Sequence, residues 1–106
     1  MEPDVLKALA DENRLAIVRL LAGGERCICE VASQLRLSDA LVSHHLKRLR
    51  AAGLVRTRKQ GQWLHCRLEP SAFDTLAREF SELAKHSAAA SASCACRPAR
   101  STASRE

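Results

Sequence analysis

Our prediction of the fold begins from one segment, Leu37-Ser-Asp-Ala-Leu-Val-Ser-His-His-Leu-Lys-Arg-Leu-Arg50. Its apolar residues recur at helical spacing, so one stripe should face a core, while the opposite face is hydrogen-bonding and cationic. Ser38 or Asp39 can cap the start of this helix, and Gly53 is suited to end it. Such a polar face suits base edges and phosphates in a major groove, although a merely solvated face is the alternative. The candidate DNA-binding residues of this predicted recognition helix are Ser38, Ser43, His44, Lys47, Arg48 and Arg50.

The segments on either side predict the remaining parts of a winged helix-turn-helix, an α+β fold that is mostly helical. Before the stretch, a short helix from about Glu30 can pack on the recognition helix across a tight connection. After it, the residues alternate with period two, as in strands with one buried face. Residues 54–59 and 63–68 would pair across a turn in which Gly61 takes a positive φ. The tip of this two-stranded wing adds three candidate DNA-binding residues, Arg58, Lys59 and Gln60.

The positive charge is concentrated in the same part of the chain. The 106 residues include 17 basic and 12 acidic side chains, which gives a formal net charge of +5. Residues 38–67 hold seven basic residues and one acidic residue, so all of the excess lies within this block. A cationic block this local indicates a polyanion-binding surface, and we expect double-stranded DNA as the partner.

Two further helices are predicted on the N-terminal side of the helix-turn-helix. Pro3 suits a first helical position, and a second helix should begin after Asp11, with acidic residues at its positive end. The run Gly23-Gly24 should stop that second helix. Its buried stripe is predicted to consist of Leu15, Val18, Leu21 and Ala22.

A last helix, beginning at Pro70 or Ser71, carries a full apolar stripe after the DNA-binding unit is complete. We expect a second copy of the chain to cover this stripe, because so small a chain has little else to cover it. The resulting homodimer would place two recognition helices about one DNA turn apart, on a palindromic operator. Packing within the helix's own chain is the alternative. The expected dimer interface comprises Leu6, Leu9, Phe73, Leu76, Phe80 and Leu83.

The composition argues against several other functions. No apolar run reaches membrane-spanning length, and acidic residues stand where a signal peptide is basic, so we expect a cytoplasmic protein with no membrane partner. No Gly-rich phosphate loop and no nucleophile–base pair at a recognisable spacing is present, so an enzyme is not expected. One domain over residues 1–86 is predicted, followed by a flexible Ala/Ser/Arg-rich tail over residues 87–106 that carries Cys94 and Cys96.

Cys27 and Cys29 form a C-x-C motif at the entrance to the first helix of the helix-turn-helix. Reduced thiols in the cytoplasm more often bind metals or sense oxidants than build a disulfide framework. In a regular helix, residues i and i+2 point about 200° apart, so one ion could be gripped only by a non-helical or unwound segment. A soft ion bound there would distort the helix that supports the recognition helix and weaken DNA binding. The alternative is two small apolar side chains buried at a helix start.

Several segments together resemble the ArsR family of winged-helix repressors, and most of all its arsenic-responsive members. The similarity covers about residues 5–86, and the joint match is more specific than any one piece. It implies a homodimer that represses an arsenic-resistance operon, needs no cofactor to bind DNA, and leaves its operator when trivalent arsenic or antimony binds. It also implies that Cys27 and Cys29 match the first two cysteines of the family's C-x-C-x-x-C inducer site. The segments are Ala10-Asp-Glu-Asn-Arg-Leu15, Cys27-Ile-Cys-Glu-Val31, Val42-Ser-His-His-Leu46 and Arg58-Lys-Gln-Gly-Gln-Trp-Leu-His-Cys-Arg-Leu68.

The chain departs from that family pattern at the third cysteine, whose position is occupied by Ala32. Trivalent arsenic prefers three thiolates, so a third ligand must come from elsewhere or the site binds with two. Cys94 or Cys96, from either subunit, is our candidate third ligand, and an exogenous thiol is the alternative.

Other positions also bear on the site. Cys66 stands where the family often has Tyr, and it shares a strand face with apolar residues, so we expect it to pack in the core. Zinc-sensing relatives carry an Asp-x-His on the last helix, but here Asp74 is followed by Leu76 at the His position, which argues against that zinc site. His45 lies near the apolar side of the recognition helix and is expected to be a core residue with its hydrogen bonds satisfied.

Two other functions stay open. The first keeps DNA binding but makes Cys27, Cys29, Cys94 and Cys96 a four-thiolate site for zinc or cadmium, or a thiol redox switch. The second is a protein-interaction module with an amphipathic dimer helix and no DNA role, which predicts no duplex binding at physiological salt. The local charge block argues against the second, because phosphate contacts by Lys and Arg should give DNA binding with a steep salt dependence.

Overall fold

Five helices and a small antiparallel sheet make up residues 2–89, the part of the chain that the computed structural model describes. In chain order the elements are α1 (Pro3–Leu9), α2 (Glu12–Leu21), β1 (Arg26–Cys27), α3 (Ile28–Leu35), α4 (Asp39–Ala51), β2 (Val55–Gln60), β3 (Trp63–Leu68) and α5 (Pro70–Ala89). The winged helix-turn-helix prediction is confirmed, with α4 as the predicted recognition helix and β2–β3 as the wing. None of the described helices is both long and apolar enough to span a bilayer.

The helix-turn-helix consists of α3 and α4, and local residues explain where each helix begins and ends. Cys27 is the N-cap of α3, and its backbone N–H donates to Glu30 Oε1 at 3.0 Å, as in a capping box. This helix ends at Arg36, which adopts the left-handed conformation with φ of 58°. Ser38 Oγ then accepts a hydrogen bond of 3.0 Å from a backbone N–H in the first turn of α4. Gly53, with φ of 79°, follows the C-cap of α4, as the sequence predicted.

The sheet has three strands in the order β1-β3-β2, all antiparallel. The predicted wing is present: Gln60 pairs with Trp63 across a turn in which Gly61 has φ of 63°. Strand β1 was not predicted, because a strand of two residues has no periodicity to detect. It places Cys27 opposite His65, so the C-x-C segment is hydrogen-bonded to the wing.

The core lies between α2, α3, α4 and the inner face of the sheet. The prediction for α2 was partly wrong, because Leu15 and Ala22 are exposed and Val18 is only half-buried, while Ile17 and Leu21 are buried. Apolar residues occupy most positions of α2, so more than one stripe has helical spacing, and packing against α3 and α4 selects among them. The largest fully buried side chains are Ile17, Val31, Val42, Leu49, Leu54, Val55 and Cys66.

Helix α5 begins at Pro70, as predicted, and makes few contacts with the other described elements. Near its start, Leu76 is buried and Phe73 is half-buried against the core, but most of the later residues are exposed. The helix continues to Ala89, beyond the domain boundary predicted at residue 86, because Ala is the strongest helix former. The rest of the predicted tail, including Cys94 and Cys96, lies outside the described residues.

Candidate DNA-binding surface and thiol site

The polar face predicted for α4 is exposed to solvent along its length. Val42, Leu46 and Leu49 anchor the opposite stripe in the core, which fixes the direction of the polar side chains. Ser38 is engaged as the N-cap, and its own O–H proton is not used by that bond. The basic residues cluster toward the C-terminal half of the helix, where they also complement the helix dipole. The exposed candidates are Ser38, Ser43, His44, Lys47, Arg48 and Arg50.

On the wing, Arg58 is already engaged by a carboxylate. Its Nε donates to Glu25 Oε2 at 3.0 Å and its Nη2 to Glu25 Oε1 at 2.7 Å, which is a bidentate ion pair. Its Nη1 donates to Gln60 Oε1 at 3.2 Å. The hydrogen bond from Arg58 holds the pKa of Glu25 below its ordinary value. Of the predicted wing residues, Lys59 and Gln60 are exposed, whereas a phosphate would meet Arg58 only in competition with Glu25.

A groove of about 420 Å³ separates the C-terminal end of α4 from the wing strands. Arg50 spans one end of it, with its Nη1 donating to Thr57 Oγ1 at 3.1 Å. Arg56 forms an ion pair with Glu69, and hydrogen bonds from Ser71 and Arg56 lower the pKa of Glu69 to about 2. Arg56 and Arg67 were not among the predicted DNA-binding residues. The period-two spacing of 56 and 58 could have indicated that Arg56 and Arg58 lie on the same face of the strand. The basic lining of the groove consists of Arg50, Arg56, Arg58 and Arg67.

The start of α3 brings Cys27 and Cys29 together. Cys27 precedes the helix with extended backbone (φ −80°, ψ 159°), and Cys29 is the second residue within it. Their Cα atoms are 5.4 Å apart and their sulfurs are joined as a disulfide. Of the two conditions predicted for a shared ligand, a non-helical or an unwound segment, the first is present, because Cys27 lies outside the helix. Two thiols on this segment can therefore reach one ligand without any unwinding of α3.

A third sulfur ligand is not provided by Cys66. Its side chain is fully buried, its Sγ donates to the Arg26 carbonyl oxygen at 3.3 Å, and burial raises the pKa of the thiol to about 11. It stays protonated at neutral pH, and the predicted packing role is confirmed. Within residues 2–89, no three His, Cys, Asp or Glu side chains come together as metal ligands. The predicted third ligands, Cys94 and Cys96, lie outside this range.

His45 is on the buried side of the recognition helix, as predicted, but its hydrogen bonds are not all satisfied. Arg14 Nη1 lies 3.3 Å from His45 Nδ1, while His45 Nε2 has no hydrogen-bond partner within residues 2–89. Burial lowers the pKa of the ring, because the charged imidazolium loses its hydration. Arg14 Nε also donates to the Ala8 carbonyl at 2.6 Å, so this polar cluster ties α1 and α2 to the base of α4.

Apolar side chains of α1 and α5 form a face that the described part of one chain leaves uncovered. The two helices are adjacent, since Val5 and Leu76 line the same cavity. Leu76 is buried in its own chain, which agrees with the alternative that part of the stripe packs within the monomer. Of the other predicted interface residues, Leu9 and Phe73 are half-buried and the exposed ones are Leu6, Phe80 and Leu83.

The sequence of this chain is similar to a family of known regulatory proteins. The model of a family described as bacterial regulatory proteins, arsR family, matches residues 11–57, from the N-cap of α2 into the first wing strand. The arsenical resistance operon repressor of Escherichia coli (strain K12) is 49% identical over 67 residues, which are 62% of this chain and 57% of that protein. An arsenic resistance transcriptional regulator of Pseudomonas putida is 45% identical over 69 residues, 64% of this chain and 60% of that protein. The chain thus spans less than two thirds of the length of these curated relatives.

A solved structure is similar over most of the described chain. It is the homodimeric winged helix-turn-helix DNA-binding domain of a protein from Mycobacterium bovis, a possible ArsR-family transcriptional regulator. The TM-score is 0.65 with 30% sequence identity, and the match covers 80% of this chain and 79% of that chain. These three similar proteins are regulators or DNA-binding domains, and none of them is an enzyme by name.

Proposed function

The chain belongs to the arsR family of bacterial regulatory proteins, which are regulators rather than enzymes, and from this premise we propose that it is an arsenic-responsive transcriptional repressor. As a homodimer in the cytoplasm, it binds a palindromic operator of an arsenic-resistance operon through α4 and the wing. Trivalent arsenic or antimony then binds Cys27 and Cys29, and the protein leaves the operator. The main observation in support of the proposal is that these two sulfurs lie together at the start of α3, the helix that packs against α4.

The chemistry of the two thiols suits a soft trivalent ion. Thiolates select soft ions over magnesium or calcium, and each As–S bond forms from a thiol and an As–OH group with release of one water. Cys29 is exposed at the surface and Cys27 beside it is buried, so after reduction of the disulfide an incoming ion can reach the pair from the Cys29 side. We propose that Cys94 or Cys96 supplies the third thiolate, from the same or the partner subunit, or that an exogenous thiol does.

Binding at this point can weaken DNA affinity through the helix-turn-helix itself. Cys27 caps α3, and Val31 of the same helix is fully buried in the core that also holds Val42 of α4. An ion that changes the backbone at the N-cap alters the support of the recognition helix, and the bound state then favours a conformation with poor operator affinity. By linkage, operator DNA weakens arsenic binding by the same factor.

Fluorescence anisotropy of the reduced full chain on the DNA upstream of its own gene tests this function. Arsenite is expected to release the wild-type protein, whereas a Cys27→Ser/Cys29→Ser variant should bind the DNA and stay bound. The matched control is Cys66→Ala, which removes a thiol elsewhere and should leave the arsenite response intact. Arsenite-induced release that persists in the double variant would show that the assigned site is wrong. Truncation before Cys94 then tests the third ligand.

A second candidate function is supported by the disulfide between Cys27 and Cys29. Oxidation of the two thiols by one molecule of hydrogen peroxide forms this bond and two waters, and the oxidised state rather than an arsenic-bound state would then have the lower DNA affinity. Equal DNA affinity before and after peroxide treatment, with the disulfide verified by mass spectrometry, would eliminate this candidate. Release by zinc or cadmium alone would instead favour a tetrahedral site that includes Cys94 and Cys96.

A further inference from the structure

Glu25 connects the thiol site to the DNA-binding surface. It stands two residues before Cys27, and its carboxylate holds Arg58, which is 33 residues away in the sequence, by two hydrogen bonds. Arg58 is one of the arginines that line the groove between α4 and the wing. One acidic side chain therefore joins the segment that carries the thiols to the segment that carries the basic groove.

The sheet reinforces this connection through its backbone. His65 in the middle strand is paired with Cys27 on one side and with Arg58 on the other. The three residues therefore lie in one row across β1, β3 and β2, a span of about 10 Å. A change in the backbone at Cys27 reaches Arg58 both through this row and through Glu25, which is carried on the chain just before β1.

The hydrogen bonds of Arg58 leave little of its guanidinium for another partner. Its Nε and Nη2 are bound to Glu25 and its Nη1 to Gln60. A DNA phosphate must displace Glu25 to gain the same bidentate contact, and Glu25 meanwhile cancels one positive charge of the groove. The Arg58 side chain is 51% exposed, so the ion pair is accessible and contributes little to the stability of the fold.

We propose that Glu25 is a positioning residue that restrains Arg58 from DNA phosphates, and that the row through His65 makes this restraint respond to the state of Cys27 and Cys29. The inference rests on the proposed function, because it takes operator DNA as the ligand of Arg58. The occupant of the freed guanidinium is a phosphate of the DNA backbone, so the contact adds affinity without sequence preference.

The restraint is tested by the salt dependence of DNA binding in a double-mutant cycle with Glu25→Gln and Arg58→Gln. Glu25→Gln should tighten binding at 0.15 M salt by about fivefold and steepen the plot of log K against log salt by about 0.9 for each protomer. Glu12→Gln, which removes an exposed acid at the start of α2, is the control for net charge and should change neither quantity. In the Arg58→Gln background, Glu25→Gln should have no effect. A Glu25→Gln variant that matches the control, binds more weakly, or keeps its effect without Arg58 would overturn the restraint.

The link to the thiols is tested by arsenite titration of the same proteins. The factor by which arsenite weakens DNA binding should be smaller in Glu25→Gln than in the wild type, because the variant has lost the restraint that the thiols act on. An equal factor in both would overturn the link. If arsenite releases neither protein, the arsenic-responsive function and the link fail together, while the salt slopes still decide the restraint. Thermal unfolding of each variant checks that the fold is retained.

Discussion

Cys27 has two backbone roles in addition to the chemical role proposed for its thiol. Its extended conformation ends β1, and the same conformation makes it the N-cap of α3. That conformation also places its sulfur outside the helix, where it meets Cys29. The ligand binding proposed for this residue would therefore act on the sheet and on the helix-turn-helix at once.

His45 makes the stability of the protein depend on mildly acidic pH. Burial lowers the pKa of its ring, and Arg14 adds to this effect while Asp11 opposes it. As the pH falls through the ordinary value of 6.5, the unfolded chain takes up a proton at this ring more readily than the folded chain, so the free energy of unfolding should fall as the pH drops from 7.5 to 5.5. Urea unfolding at fixed protein concentration should show a smaller fall in His45→Leu. Equal falls in both proteins would contradict this account; Glu69, with a pKa of about 2, titrates outside the window.

At the residue scale, the sequence identified what depends on local periodicity and missed what depends on the tertiary fold. The exposure of Lys47 and Arg48 and the burial of Cys66 follow from positions within one helix or one strand. The pair Glu25–Arg58 joins the residue just before β1 to a residue of β2, and the two come together only because β1 is added to the wing sheet. No spacing along the chain could have predicted that contact.

The helices and strands whose ends are marked by glycine were predicted best. Gly53 and Gly61 mark the end of α4 and the wing turn, and both adopt the positive φ values that favour glycine. The segment that carries Cys27 and Cys29 was predicted less well. Strand β1 is too short to show a pattern, and α3 begins at Ile28, two residues earlier than expected. The earlier start bears on the proposed function, because it places Cys29 inside α3 while Cys27 stays outside.

The turn between α3 and α4 contains a removable source of backbone strain. Arg36 is in the left-handed region at φ 58°, where a side chain has a steric cost of about 1 kcal/mol that glycine avoids, although glycine loses more backbone entropy on folding. Arg36→Gly should therefore raise the free energy of unfolding by up to about 1 kcal/mol, measured by urea denaturation. The matched control, Gln34→Gly, places the same residue inside α3 and should lower the free energy of unfolding by about 1 kcal/mol. A loss of stability in Arg36→Gly would mean that its side-chain contacts outweigh the strain.

In the described chain as a whole, the elements before α5 pack around one core, whereas most of α5 extends away from that core. The cationic surface lies on α4 and the wing, while the uncovered apolar surface lies on α1 and α5. This separation of cationic and apolar surfaces was predictable from the charge block and from the position of the last apolar stripe. The part of the stripe that one chain covers was not predictable, since the burial of Leu76 depends on the orientation of α5 relative to the core.

The uncovered apolar face leads to a prediction about assembly and DNA binding together. Phe80 is 49% exposed and Leu83 is 59% exposed, and in a two-fold dimer each would be buried twice. Phe80→Ser removes two rings from such an interface, each on the order of 1–2 kcal/mol, so the dissociation constant of the dimer should rise about 100-fold. Analytical ultracentrifugation at micromolar protein checks this shift. The matched control is Trp63→Ser, because Trp63 is 53% exposed on the wing and its loss should leave the dimer intact.

The same Phe80→Ser variant should lose most of its operator affinity while each folded monomer keeps its binding surface. Two linked recognition helices engage two half-sites one DNA turn apart, and separate monomers lose the gain that comes from linkage. Affinity for a single half-site, measured by anisotropy on a duplex that contains only one, should therefore be the same for Phe80→Ser and for the wild-type monomer at low concentration. If Phe80→Ser stayed dimeric and bound the full operator normally, the α5 face would not be the dimer interface. The second recognition helix would then have to be presented through another surface of the chain.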